Sequence, residues 1–205
     1  MMLFEDTYKT IASVSEGIFR DKGSKFIGFA YPVKNELEAR EILKTLRSLH
    51  PKANHHCWAL RLSPDRSIFK FNDDGEPSGT AGRPILNTLL SNDLTNVLVV
   101  VVRYFGGTLL GVPGLINAYK NATTEALKSA QTIEKTVNDR YRINFSYDRM
   151  NDVMKLLKDE DLSVINPAYS SECSLETEIR KSRINSILSR LEKLEDVKAQ
   201  YLTTC

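Results

Sequence analysis

Cysteine and unbalanced charge are both scarce in this sequence. The three cysteines lie far apart and form no C-x-x-C pair, at Cys57, Cys173 and Cys205. A disulfide framework and a zinc ribbon are therefore not expected, and a reducing compartment is favoured. The 28 Lys+Arg residues nearly balance the 26 Asp+Glu residues, giving a formal net charge of +2. That balance excludes a histone-like polycation.

Long hydrophobic runs are also missing. The longest purely aliphatic run is Val97–Val102, far shorter than the roughly 20 apolar residues that a membrane-spanning helix needs. The first residues, Met1–Asp6, carry acids where a signal peptide would be basic. We therefore expect a soluble cytoplasmic protein with no membrane partner.

The composition that remains is that of a globular protein. Of the 205 residues, 41% are hydrophobic and 26% are charged, and this length suggests one large domain or two small ones. Strand and helix patterns alternate along the first segment. Its predicted elements are a strand at Lys25–Val33, a helix that opens with a capping box at Asn35, strands at His55–Leu62, Ser67–Phe71 and Val97–Tyr104, and a helix at Gly114–Ala130.

The second segment follows a polar stretch at 133–139. Its pattern predicts strand, helix, strand, strand, helix and strand, the βαββαβ order of a ferredoxin-like unit. The predicted elements are Arg140–Tyr147, Arg149–Lys158, Leu162–Ala168, Ser171–Ile179, Ser182–Leu194 and Val197–Leu202. We therefore predict an α+β protein with domains at 1–134 and 139–205.

A loop rich in glycine and proline is the first candidate for function. Pro84 begins a helical pattern, so the amides of Gly79, Thr80 and Gly82, with Arg83 beside them, suit an anion. A tight turn with a Ser or Thr cap is the alternative. The acids do not form a calcium-binding pattern, and no metal is expected. The remaining members of this motif loop are Asp73, Asp74, Gly75, Glu76 and Ser78.

A second glycine loop follows the strand that ends at Tyr104. It contains Gly106 and Gly107 but matches no nucleotide-binding fingerprint. Arg103 ends a strand of valines, so its charge should reach an anion or form an ion pair with Asp73, Asp74 or Glu76. The apolar residues at the loop tip, Leu109 and Leu110, suggest either packing or a contact surface, and with Val112 they would form the exposed patch of a protein–protein adaptor.

The tetrapeptide His55–Trp58 resembles a metal site only at first sight. On a strand, His55 and Cys57 share one face while His56 and Trp58 share the other, whereas tetrahedral zinc takes four ligands. Cys57 would need a low pKa and an adjacent base to act as a nucleophile. An enzyme would require His56 and Glu76 to meet in one cleft as an acid/base pair.

Four motifs in this order resemble the IMPACT/YigZ family. They are KGSKFIG at 22–28, HHCWA at 55–59, DDGEPSGTAGRPIL at 73–86 and RYFGG at 103–107. The resemblance implies a first domain like domain IV of elongation factor G and a ferredoxin-like second domain. It also implies translational regulation in eukaryotic relatives, and a role in RNA or nucleotide binding for bacterial ones. Three residues depart from the family pattern and remove two positive charges from the second loop, at Leu109, Pro113 and Asn117.

Together these features favour a non-catalytic binding protein of the translation machinery. Its expected partners are RNA or ribosome-associated factors, without a cofactor. An enzyme acting on a small phosphorylated or nucleotide substrate at residues 73–83, and a protein–protein adaptor, are the alternatives. The candidate anion-binding residues are Arg83, Arg103, Gly79, Thr80, Gly82 and Lys25.

Overall fold

The structure is a computed structural model that describes residues 6–170 and 172–205. The acid-bearing start at 1–5 and Ser171, the first residue of a predicted strand, lie outside the described residues. The chain divides into two compact units, an amino-terminal unit, Tyr8–Lys135, and a carboxyl-terminal unit, Thr136–Cys205, which also includes Asp6 and Thr7. The domain limits 1–134 and 139–205 stay a prediction.

Seven strands and three helices form the first part of the described chain. They are β1 (Thr7–Ile11), β2 (Ser15–Asp21), β3 (Ser24–Pro32), α1 (Glu36–Leu49), β4 (His55–Leu62), β5 (Ile68–Asn72), α2 (Gly82–Ser91), β6 (Val97–Tyr104), α3 (Gly111–Lys128) and β7 (Thr132–Thr136). Five of these strands form an antiparallel sheet in the order β2-β3-β6-β4-β5, and β1 pairs with β7 in a separate sheet. Three of the strands, β1, β2 and β7, were not predicted from the sequence.

Helices cover both faces of the five-stranded sheet. The central strand β6 is buried along almost its whole length, as its valines require. One face packs against α2 and α3, with Val99 and Val101 among the buried residues. The other packs against α1 through Val100 and Val102. Alternate residues of each strand therefore point to opposite faces of the sheet, under different helices.

The first helix begins where the capping pattern predicts. The Asn35 side chain accepts a hydrogen bond from the amide of Glu38 at 2.9 Å, and the Glu38 carboxylate accepts one from the amide of Lys34 at 2.8 Å. The first bond satisfies an amide that the first turn of α1 would otherwise leave open, and the second ties the residue before the cap to the same turn. Ala39 and Leu46 then bury the inner face of the helix.

The carboxyl-terminal unit confirms the predicted ferredoxin-like arrangement. Its elements are β8 (Asn138–Ser146), α4 (Met150–Asp159), β9 (Ile165–Ala168), β10 (Glu172–Arg180), α5 (Ile184–Leu191) and β11 (Val197–Thr204). The antiparallel sheet has the order β11-β8-β10-β9, which a split βαβ unit produces. Its core lies between one sheet face and the two helices. The predicted α+β fold class is confirmed. Among the described residues, no helix is long and apolar enough to span a membrane.

Candidate functional site

The predicted anion cradle at the start of α2 is filled by a side chain of the same loop. The Asp73 carboxylate accepts hydrogen bonds from the amides of Gly79 at 2.9 Å, Ala81 at 3.0 Å and Gly82 at 2.8 Å. The amide of Thr80 donates instead to the carbonyl of Pro77 at 3.0 Å. The prediction that these amides bind an external anion is therefore corrected, because Asp73 caps the helix from within.

Asp74 also serves the structure of this loop. Its carboxylate accepts hydrogen bonds from the Arg47 guanidinium and from the amide of His56, each at 2.6 Å. Asp74 and Gly75 both have positive φ, 45° and 89°, which makes a tight bend. Within the described residues, no group of three or more His, Cys, Asp or Glu side chains could hold a metal ion.

Glu76 and Arg103 form a buried ion pair. The Arg103 Nη1 atom donates to Glu76 Oε1 at 2.6 Å, and their side chains are 6% and 3% exposed. The Tyr119 hydroxyl donates to the same oxygen at 2.7 Å. The guanidinium also lies over the rings of Phe26 and Phe105, at 5.4 and 5.5 Å from their centroids. Of the two alternatives for Arg103, the ion pair with Glu76 is the one that the structure shows. The prediction that Arg103 binds an external anion is therefore corrected, and Arg103 is a structural residue.

His55 and Tyr119 also belong to this cluster, and neither was predicted from the sequence to meet Glu76. His55 Nδ1 donates to the carbonyl of Asp74 at 2.8 Å, and its Nε2 atom lies 3.9 Å from Glu76 Oε1. His55 lies directly opposite Arg103 across β4 and β6, which brings it close to the carboxylate that Arg103 binds. The one signal in the sequence for this cluster is Tyr119, whose phenol lies on the apolar face of a helix. A buried hydroxyl requires a hydrogen-bond partner.

Cys57 lies in the same cluster as a structural thiol. Its Sγ atom lies 3.0 Å from the Asp73 carbonyl oxygen and 3.3 Å from the Tyr119 hydroxyl, and its single proton can be donated to either. Burial raises the pKa of Cys57 far above its usual value, although the Tyr119 hydrogen bond acts the other way. Burial raises the pKa of Tyr119 as well. The thiol therefore stays protonated, the opposite of what a nucleophile requires.

His56 and Glu76 do not meet. His56 follows His55 on β4 and points to the other face of the sheet, toward α1. Burial, followed by the nearby Arg47 charge, lowers the pKa of His56. Its Nε2 atom has no hydrogen-bond partner within the described residues. The prediction that His56 and Glu76 meet as an acid/base pair, which the enzyme alternative requires, is therefore corrected. The alternation of side chains along β4 directs His56 to the face of the sheet that lies away from Glu76.

The second glycine loop packs against the turn between β2 and β3. A Cβ on Gly106 would lie 1.9 Å from the carbonyl carbon of Gly23, so only glycine fits there. The amide of Gly106 donates to the Ser24 hydroxyl at 3.1 Å. Gly107, with φ of 85°, is exposed, as is Ser78 in the first loop. Leu110 is only 8% exposed, which corrects its place among the exposed loop residues.

The two remaining cationic candidates lie on different faces of the sheet. Arg83 is exposed on α2 and lines a groove between α2 and α3. Lys25 precedes Phe26, whose ring packs among the residues under α2 and α3, so Lys25 points to the opposite face. The predicted site residues therefore do not converge on one pocket.

A row of three residues crosses the sheet at Lys25. Arg20 on β2 lies directly opposite Lys25 on β3, and Lys25 lies opposite Tyr104 on β6. Directly opposed residues share a face, with Cβ atoms about 4.5–5.5 Å apart. Neither cation forms an ion pair with any residue of 6–170 or 172–205. We call Arg20, Lys25 and Tyr104 the basic row.

Comparison with known proteins identifies the family. The family model for the Impact N-terminal domain matches residues 22–127. An IMPACT family member from Haemophilus influenzae is 33% identical over 172 residues, which cover 83% of this chain and 84% of that protein. The Bacillus subtilis IMPACT family member YvyE is 31% identical over 201 residues, covering 96% and 93%. A crystal structure described as a hypothetical protein is 29% identical, with a TM-score of 0.77 and coverage of 98% and 99%. The chain belongs to the IMPACT family.

Proposed function

We propose that this protein is a non-catalytic binding protein of the translation machinery that contacts RNA phosphates through the basic row. The observation that carries the proposal is the unneutralised cross-strand pair of Arg20 and Lys25. Like charges directly opposite each other destabilise a sheet. A phosphate between them would turn this repulsion into two favourable ion pairs.

The surroundings of the basic row fit single-stranded RNA. Lys22 is exposed in the turn between Arg20 and Lys25, so a third cation lies close by in the chain. Tyr104, the third member of the row, offers an aromatic ring, and its hydroxyl is hydrogen-bonded to His50 Nδ1 at 2.8 Å. Cations that contact the phosphates of a nucleic-acid strand, beside an aromatic ring on which a base can stack, are typical of single-strand binding sites.

The carboxyl-terminal unit gives less support for an RNA contact. There the cross-strand arginines have carboxylate partners: Arg142 donates to Glu176 at 2.9 Å, and Arg140 donates to Glu178 at 2.5 Å. These pairs neutralise one another across β8 and β10. The proposal therefore assigns RNA to the amino-terminal unit.

Family membership supports the translational part of the proposal, because the family resemblance implies translational regulation. The non-catalytic part is supported by the Glu76 carboxylate, which already accepts hydrogen bonds from Arg103 and Tyr119. It is supported also by the separation of Glu76 from His56 on opposite sheet faces.

Salt-dependent filter binding of single-stranded RNA tests the proposal. Each phosphate contact contributes about 0.7 to the slope of log K against log salt for single strands. We expect the R20A/K25A double variant to lower that slope by about 1.4. The K34A/K44A variant removes the same charge from other exposed positions and should leave the slope close to that of the wild type. Undetectable wild-type binding, or equal slopes for the two variants, would contradict the proposal.

A further inference from the structure

A groove between α2 and α3 lies on the sheet face opposite the basic row. Its volume is about 420 Å³. Gly79 of the preceding loop and residues of both helices line it, among them Arg83, Asn87, Ser91, Ile116 and Lys120. Along α2, the eight steps from Arg83 to Ser91 give the wall a length of about 12 Å at 1.5 Å per residue. Two turns of a partner helix have a similar length.

The charges on the walls of this groove are all positive. The sequence has no Asp or Glu from 79 to 91 or from 105 to 124. Arg83 and Lys120 are exposed, and neither forms an ion pair within the part of the chain that the structure describes. The groove thus complements a ligand that brings carboxylates or other anions.

An exposed apolar stripe leads into the groove. Leu109, Val112 and Ile116 are 83%, 53% and 39% exposed. Their spacing of three and four residues continues to Lys120, so Val112, Ile116 and Lys120 lie along one face of α3 with Leu109 just before it. Single exposed apolar residues are ordinary, but a contiguous stripe indicates a contact surface.

We propose that the α2–α3 groove docks an amphipathic helix of a partner protein, whose apolar face is flanked by carboxylates. The apolar face would cover Leu109, Val112 and Ile116, and the carboxylates would pair with Arg83 and Lys120. This is recognition of a helix in a groove through anchors at helical spacing. The proposal does not rest on the RNA contact, because the basic row lies on the other face of the sheet.

The groove fits a protein helix better than it fits RNA. A phosphate would favour the open amides of a helix amino terminus, but Asp73 already fills those of α2. Bases stack on aromatic rings, whereas the stripe beside the groove is aliphatic. Aliphatic anchors with flanking cations match the apolar and acidic faces of one amphipathic helix.

Two synthetic peptides of about four helical turns test the proposal on the full chain. Both carry leucines on one face; one has glutamates and the other has lysines along the edges of that face. We expect the glutamate peptide to shift the backbone amide resonances of α2 and α3, and to bind at least about tenfold more tightly than the lysine peptide in fluorescence anisotropy. R83A/K120A should remove most of that preference. L109S/V112S should weaken both peptides, and K34A/K44A should weaken neither.

Three outcomes would overturn the proposal. One is equal binding of the two peptides to the wild type, and another is an absence of shifts at the groove at about 1 mM glutamate peptide. The third is a shift of the same amides by oligouridylate that R83A/K120A abolishes, because the groove would then be an RNA site. All substituted residues are exposed, so a well-dispersed spectrum of each variant confirms that the fold is intact.

Discussion

At one end of the five-stranded sheet, the two faces hold their charges in opposite ways. On the face toward α2 and α3, Arg103 is buried against Glu76 and two aromatic rings. On the face toward α1, Arg20 lies opposite Lys25 with no carboxylate bound to either among the described residues. The two arrangements lie on opposite faces of the same strand. Lys25 and Phe26 are consecutive residues of β3, and the Phe26 ring contacts the Arg103 guanidinium.

This difference shows which charges are available to a partner. The residues that make the sequence motifs conspicuous, Asp73, Asp74, Glu76 and Arg103, all bond to one another or to nearby backbone. Their interactions stabilise the folded loop. Among the described residues, the cations without an ion-pair partner include Arg20 on β2, Lys25 on β3, Arg83 on α2 and Lys120 on α3.

Breaking the buried pair should give the largest effect. Glu76→Ala leaves the Arg103 guanidinium buried without its carboxylate, so we expect the free energy of unfolding to fall by about 3–5 kcal/mol. Urea denaturation measures this. The exposed Glu41→Ala serves as control and should change stability by no more than about 0.5 kcal/mol. A loss as small as that of the control would show that the pair is not needed for the fold.

The Asp73 cap should have a smaller effect on the same face. Asp73→Ala leaves the amides of Gly79, Ala81 and Gly82 without their acceptor, at a cost of about 1–3 kcal/mol. Asp73→Asn keeps one acceptor oxygen and should lie between alanine and wild type. If Asp73→Ala were as stable as the wild type and bound inorganic phosphate, the cap would be replaceable by an external anion.

Most of the fold, but little of the charge arrangement, could be predicted from the sequence. The alternation of β4 and the apolar run of β6 predicted their bounds and faces, because periodicity reports burial directly. β2 was missed, and with it the basic row. Its signal was the Lys22-Gly23 turn, where both residues have positive φ, 44° and 79°, as a tight hairpin requires.

The filled cradle could not have been predicted from spacing. A glycine loop before a helix has the same sequence whether its amides bind a ligand or a carboxylate of the loop itself. Asp73 lies six to nine residues before the amides it accepts from, and only the folded bend at Asp74 and Gly75 brings them together. Local patterns report propensity, whereas the choice between these partners depends on tertiary geometry.

The burial of His56 on the sheet face toward α1 should make folding stability depend on pH. Burial lowers the pKa of His56 from its ordinary 6.5, so the unfolded chain takes up a proton at a higher pH than the folded chain does. Stability should therefore be complete above pH 6.5 and decrease as the pH falls below it, by at most about 1.4 kcal/mol per pH unit. His56→Leu should lack this decrease between pH 7 and pH 5, a window that lies above the ordinary pKa values of free carboxylates. Parallel thermal unfolding curves for both proteins at pH 7 and pH 5 would contradict this assignment.

The smallest change in stability should accompany a loss of binding. Lys25→Glu converts the opposed cations into a cross-strand ion pair with Arg20, so stability should rise by about 0.2–1 kcal/mol while RNA affinity falls. Lys25→Gln removes the repulsion without creating attraction, and its stability should lie between wild type and Lys25→Glu. A merely structural residue would lose stability in both variants, and RNA binding would follow the folded fraction. A gain in stability with a loss of binding is the result we expect where the repulsion between two side chains is retained for a ligand. Chemical denaturation and filter binding on the same preparations measure both quantities.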